Sequence, residues 1–218
     1  MDPHSREETT KKKEKEKVIP LLPSSFYLRE DVVAIGRELL GKFLFTSIDG
    51  SLTGGMITET ECYKGAEDKA CHAYQNRRTK RTEVMFAEGG VAYVYLCYGM
   101  HNLLNIVTNQ RNVPHAILIR SIKPTIGIET MLIRRDKNCL DSTLTTGPGT
   151  VTEALGITRS HNGISLQGST IWLEDRKISF DENQIIASPR VGISYAEEHA
   201  HLPWRFRIMN LKKDMVAK

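Results

Sequence analysis

Between residues 42 and 122 the chain carries five extended runs in close succession, which excludes folds that need a helix between every pair of strands. The runs cover residues 42–48, 55–63, 91–97, 101–107 and 116–122, and several are rich in β-branched and aromatic side chains. One helical period precedes them, at residues 29–41, where Val32, Ile35, Leu39 and Leu40 share a face and Gly41 supplies a stop. Helical patterns return only later, at residues 126–135 and 150–155, and short late strands are expected at residues 171–173, 190–193 and 204–208. Strands that cluster instead of alternating with helices predict an α+β domain in preference to a doubly wound sheet.

The chain has 218 residues, and the segment from Arg6 to Lys17 holds six basic and four acidic side chains with no apolar residue. Such a run cannot contribute to a core, so residues 1–17 are expected to form a disordered charged tail and residues 18–218 the folded domain. At 40% hydrophobic and 26% charged, the composition excludes collagen-like, disulfide-scaffold and wholly disordered chains. The longest apolar stretch, residues 91–100, is broken by tyrosines and too short to cross a bilayer as a helix. No secretory leader is expected either, since residues 18–22 are too few for its hydrophobic region. Cys62, Cys71, Cys97 and Cys139 do not suggest a disulfide framework, and a reducing compartment, cytoplasmic or nuclear, follows.

Three features carry chemistry. If residues 57–63 form a strand, Glu59, Glu61 and Tyr63 point to one face. That face is either solvated or lines a cleft in which a carboxylate serves as general base. The second feature is the pair of strands around Tyr98-Gly99-Met100, which reads as a hairpin with Gly99 free to take positive φ. Its large tip residues either pack under a neighbouring loop or act as an apolar wedge between base pairs. Third, Arg77, Arg78, Lys80 and Arg81 put four cations within five positions, a composition that phosphate contacts require and that soluble proteins also often carry on loops.

Taken in order, Glu59-Thr-Glu-Cys-Tyr63, Ala66-Glu-Asp-Lys-Ala-Cys-His72, Met85-Phe86, Tyr93-Val-Tyr-Leu-Cys-Tyr-Gly-Met100 and Asn105 resemble the alkyladenine (3-methyladenine) DNA glycosylase family. The likeness continues through Ala116-Ile-Leu-Ile-Arg120, Thr146-Gly-Pro-Gly149, Arg190-Val-Gly192 and Trp204-Arg-Phe206, and covers roughly residues 24 to 209. It implies a single mixed domain with a curved, largely antiparallel β-sheet core, flanking helices and a protruding β-hairpin. It further implies an enzyme that flips a damaged, alkylated purine out of double-stranded DNA and hydrolyses its N-glycosidic bond with an activated water, leaving an abasic site. By the same resemblance Glu61 is the general base, and Arg120 and the Val191 carbonyl help position the water. Tyr63, His72 and Tyr95 enclose the flipped base, Asn105 faces the amino group that marks guanine, and Tyr98 intercalates with Met100 beside it. No metal, no other cofactor and no lysine Schiff base are implied. Cys62 stands where many relatives carry alanine, and strand alternation turns it away from Glu61.

Other readings compete. Cys62, Cys71 and His72 lack a paired metal-ligand spacing and a fourth partner, and His199 and His201 lack a partnered carboxylate. The Gly147-Pro-Gly149 turn could belong to a helix-hairpin-helix glycosylase, but the strand-rich first half disagrees. A non-catalytic lesion-recognition protein would use the same hairpin, yet it would have no need of Glu61. Hydrolysis of a free nucleoside by Glu59 and Glu61 together would require carboxylates on opposite faces of the sugar, which one strand face does not offer. Neither an oligomer nor a protein partner is called for, so a monomer on DNA is expected.

Overall fold

The computed structural model describes residues 21–209; the charged segment 1–17 and the two ends of the expected 18–218 domain lie outside the described residues. Two short helices open the fold, α1 (Ser24–Tyr27) and α2 (Val32–Glu38). Asp31 caps α2, its carboxylate accepting from the amides of Val33 and Ala34. Then come β1 (Phe43–Ile48), β2 (Ser51–Tyr63), β3 (Ala92–Cys97), β4 (His101–Thr108) and β5 (His115–Ile126). Helices α3 (Ile128–Arg134) and α4 (Pro148–Leu155) follow, and then strands β6 (Ile171–Glu174), β7 (Ile185–Ser188) and β8 (Arg205–Ile208).

All eight strands join one antiparallel sheet in the order β3-β4-β5-β2-β1-β6, curled into a half-barrel. The 13-residue β2 lies at its centre, with β5 along one edge. Its other edge is shared. Residues 51–56 pair with β1 and residues 59–61 with β8, which in turn holds β7. Asp49 and Gly50, both at positive φ, make the tight turn that lets Ser51 pair with Ile48. Gly54 and Gly55 let β2 pass close to its neighbours, since a Cβ on Gly54 would lie 2.2 Å from the Phe45 ring and one on Gly55 2.2 Å from the Lys123 carbonyl.

Alternation along the strands sorts side chains between two layers. On one face Ala92, Val94, Leu104, Ile106, Ile117, Ile119 and Cys62 join the main core with α2 and α4. Thr60 faces the same way and donates to the Gly36 carbonyl of α2. Cys62 therefore does point away from Glu61; its sulfur fills the space a Cβ on Gly36 would need. On the other face Tyr93, Val107 and Ala116 build a smaller cluster with Cys71, Ala73, Met85 and Phe86.

That second cluster draws on residues 64–87. Although polar in sequence, this connection contains three short 3-10 turns and supplies buried anchors to the sheet. Residues 190–193, expected as a strand, form none. Pro189 precedes them, Gly192 takes φ +74°, and the segment is a loop; the strand of this region is β7, just before it. No helix among the described residues is long and apolar enough to cross a membrane.

Candidate active site

The non-core face of the sheet forms one wall of a cavity of about 570 Å³, within the ordinary range for small-ligand sites. Glu61 and Tyr63 reach it from β2, Tyr93 and Tyr95 from β3, Asn105 from β4, and Leu118 and Arg120 from β5. The 64–87 connection brings Cys71, His72, Arg81 and Met85, and the loop after β7 brings Val191 and Ile193.

Glu61 is completely buried, and three donors converge on it. The Tyr63 hydroxyl donates to Oε2 at 2.9 Å, the Val191 amide donates to Oε1 at 2.8 Å, and Arg120 Nη1 lies 3.3 Å from Oε1. Arg120 also donates through Nε to Glu59, whose carboxylate is shared with Arg205. Glu59 is thus committed to two arginines, and Glu61 keeps the cavity. Burial raises the Glu61 carboxyl above its ordinary range; Arg120, the Val191 amide and the Tyr63 hydroxyl pull it down without cancelling that effect, and Glu59 adds to the rise.

His72, Tyr93 and Tyr95 give the cavity an aromatic, uncharged side. His72 and Tyr95 meet edge to face with centroids 4.7 Å apart, and Tyr93 lies 5.4 Å from Tyr95. Burial, then Arg81 and Arg77, lower the His72 imidazole to about 4, so it is neutral near pH 7. Because Arg81 can only donate to His72 Nε2, at 3.3 Å, the proton sits on Nδ1 and faces the Tyr93 hydroxyl at 3.0 Å. Asn105, nearly fully buried, donates one Nδ2 hydrogen to the Tyr93 carbonyl at 3.2 Å.

Tyr98 and Met100 stand at the turn between β3 and β4, 85% and 72% exposed. Tyr98 takes φ +49° and Gly99 +73°, with the Met100 amide closing on the Cys97 carbonyl. A bulky residue in that region costs about 1–3 kcal/mol, which an exposed tip does not recover by packing. Tyr98 also lines the cavity rim, whereas Met100 does not reach it.

The basic run divides. Arg78 is bound to Glu83 and Asn112 and lies over Phe86, which makes it a tie within the loop. Arg77, Lys80 and Arg81 are all exposed, and of the three Arg81 alone lines the cavity. Sequence reasoning had also left Asp68 and Arg190 without a role. Both side chains are completely buried as an ion pair; Arg190 lies over Tyr63 and Trp204, donates to the Cys62 carbonyl, and directly precedes Val191. The pair therefore braces two of the Glu61 donors. Asp68 stood in the quoted 66–72 motif, but nothing in the sequence joined it to Arg190. Tyr195, at the cavity rim, carried no signal at all.

A buried carboxylate facing a cavity lined by aromatic rings, with an exposed tyrosine at its rim, suits an enzyme of the DNA N-glycosylase type. The comparisons agree, since the model of the methylpurine-DNA glycosylase family matches residues 25–212. This chain belongs to that family. A protein of Chlamydia felis is 50% identical over 194 residues, covering 88% of this chain and 98% of its own length. One from Bacillus mycoides is 46% identical over 194 residues, covering 84% and 94%. Both are named "Putative 3-methyladenine DNA glycosylase".

Proposed function

We propose that the protein excises alkylated purines such as 3-methyladenine from double-stranded DNA by flipping the nucleotide into this cavity and hydrolysing its N-glycosidic bond. The observation that carries the reading is Glu61: a buried carboxylate, lifted above its ordinary range, opening onto aromatic rings. The ionised Glu61 takes a proton from a water that Arg120 and the Val191 carbonyl orient, and the water oxygen bonds to C1′ of the sugar. The pair of electrons from the broken C1′–N bond leaves with the purine. Ring alkylation at a purine nitrogen makes that base cationic, so the departing pair neutralises it and no proton donor is required. With water as nucleophile, the product is an abasic site in an intact strand.

Tyr63, His72 and Tyr95 enclose the base, and an electron-rich slot favours a cation by about 0.5–2 kcal/mol. Selection against guanine falls to Asn105. With one Nδ2 hydrogen held by the Tyr93 carbonyl, the other would oppose guanine's exocyclic amino group, donor against donor. Asn105→Ala should therefore raise release of normal guanine from undamaged duplex roughly tenfold or more, from the size of an unmatched buried polar contact. Unchanged guanine release would remove Asn105 from this role.

Unstacking a base costs a few kcal/mol, and Tyr98 filling the gap, with Met100 beside it, offsets part of that. Tyr98→Ala should weaken binding to lesion duplex by roughly 5- to 150-fold, the range for loss of one base-aromatic stack, with little change in melting temperature. Fluorescence anisotropy on lesion duplex checks this, and equal affinity would sink the wedge assignment. Arg77 and Lys80 meet backbone phosphates, giving salt-dependent binding by a monomer.

The direct test is base release from methylated duplex by the full chain, with a chelator present and hypoxanthine duplex alongside. Tight lesion binding without release would favour a recognition protein that shares the fold.

A further inference from the structure

Arg81 differs from the other cations of its loop. Its guanidinium stacks 4.8 Å from the centre of the Tyr95 ring and donates to His72 Nε2 at 3.3 Å. One side chain thus covers both an aromatic face and a hydrogen-bond acceptor of the cavity. It forms no ion pair among the described residues, while its loop is fixed by Arg78 on Glu83 and by Thr82, which donates to the Arg77 carbonyl. The backbone is anchored and the Arg81 side chain can leave without it.

We propose that Arg81 is a built-in competitor for the base slot, a guanidinium that every incoming base must displace from Tyr95 and His72. The inference rests on the glycosylase reading for its biological meaning, but not for its physics. Displacement subtracts the same amount from the affinity of every base, so it leaves the ratio between bases unchanged and raises the affinity that any base needs to stay in the slot. A cationic alkylated purine adds its own attraction to the rings and stays above that threshold. A neutral base offers stacking alone and is returned to the helix.

Free bases test this without the phosphates that would confuse a duplex assay. Calorimetric titration of the full chain with neutral hypoxanthine and with the 7,9-dimethylguaninium cation should show Arg81→Ala tightening both by a common factor of roughly 2- to 30-fold, the range of one cation–π contact. Arg81→Gln, which keeps the stem, gives a second reading of the same effect. Arg159→Ala removes an equal charge elsewhere and should move neither ligand. Unchanged or weaker binding in both Arg81 variants overturns the proposal, as does equal tightening in Arg159→Ala. Should the wild type release no base from any lesion duplex, the glycosylase reading falls, yet the titration still decides the role of Arg81.

Discussion

Glu61→Gln is expected to reduce single-turnover base release from methylated duplex by about 10²- to 10⁴-fold, the usual contribution of a positioned general base. The amide keeps the shape and can still accept one of the hydrogen bonds from Tyr63 or Val191, and Arg120 retains Glu59. Lesion binding should therefore persist within several-fold. Wild-type release has a further signature. Glu61 acts only when ionised, and its carboxyl is raised in the folded protein, so the rate should fall with decreasing pH at values above the ordinary carboxylate range. Any residual rate in Glu61→Gln should lack that limb. Full turnover by the variant would remove Glu61 from the base role.

The second large effect is on stability. Asp68→Ala leaves the Arg190 guanidinium in a fully buried site with, among the described residues, only the Cys62 and His199 carbonyls as acceptors. Breaking a buried ion pair from one side costs about 3–5 kcal/mol, which for a domain of this size lowers the melting temperature by roughly 6–20 °C. Asp68→Ala combined with Arg190→Met removes the stranded charge and should regain part of the loss. A thermal melt in which the single variant falls by less than about 2 °C would show that the stranded charge finds another partner, since that shift corresponds to roughly 1 kcal/mol or less.

Both predictions concern residues whose legibility in the sequence differed for a physical reason. Glu61 and Tyr63 were readable because strand alternation is a local rule, and the same rule separated Cys62 from them. The order of β1 to β5 and the positions of α3 and α4 were legible on the same terms. Boundaries were less so. The second run, expected from residue 55, begins at Ser51 and carries Gly54 and Gly55 inside the strand, because these glycines answer to the approach of β1 and β5, which no local pattern reveals. Arg190–Ile193 looked extended from its valine and isoleucine, but burying the arginine against Asp68, more than a hundred residues away, decides its path. Charge density likewise grouped Arg78 and Arg81 with Arg77 and Lys80. Their separation depends on Glu83, Phe86 and Tyr95, and hence on tertiary structure.

The shared pairing of β2 bears on how the activity can be lost. Residues 59–61 are held by β5 on one side and β8 on the other, so Glu61 sits where no fraying edge reaches. Amide hydrogens at Thr60 and Cys62 should exchange only through global opening, alongside the slowest in the domain. The base is therefore as persistent as the domain itself. Heating or denaturant should extinguish base release in step with the cooperative transition, leaving no partly opened population that retains the fold but has lost the carboxylate.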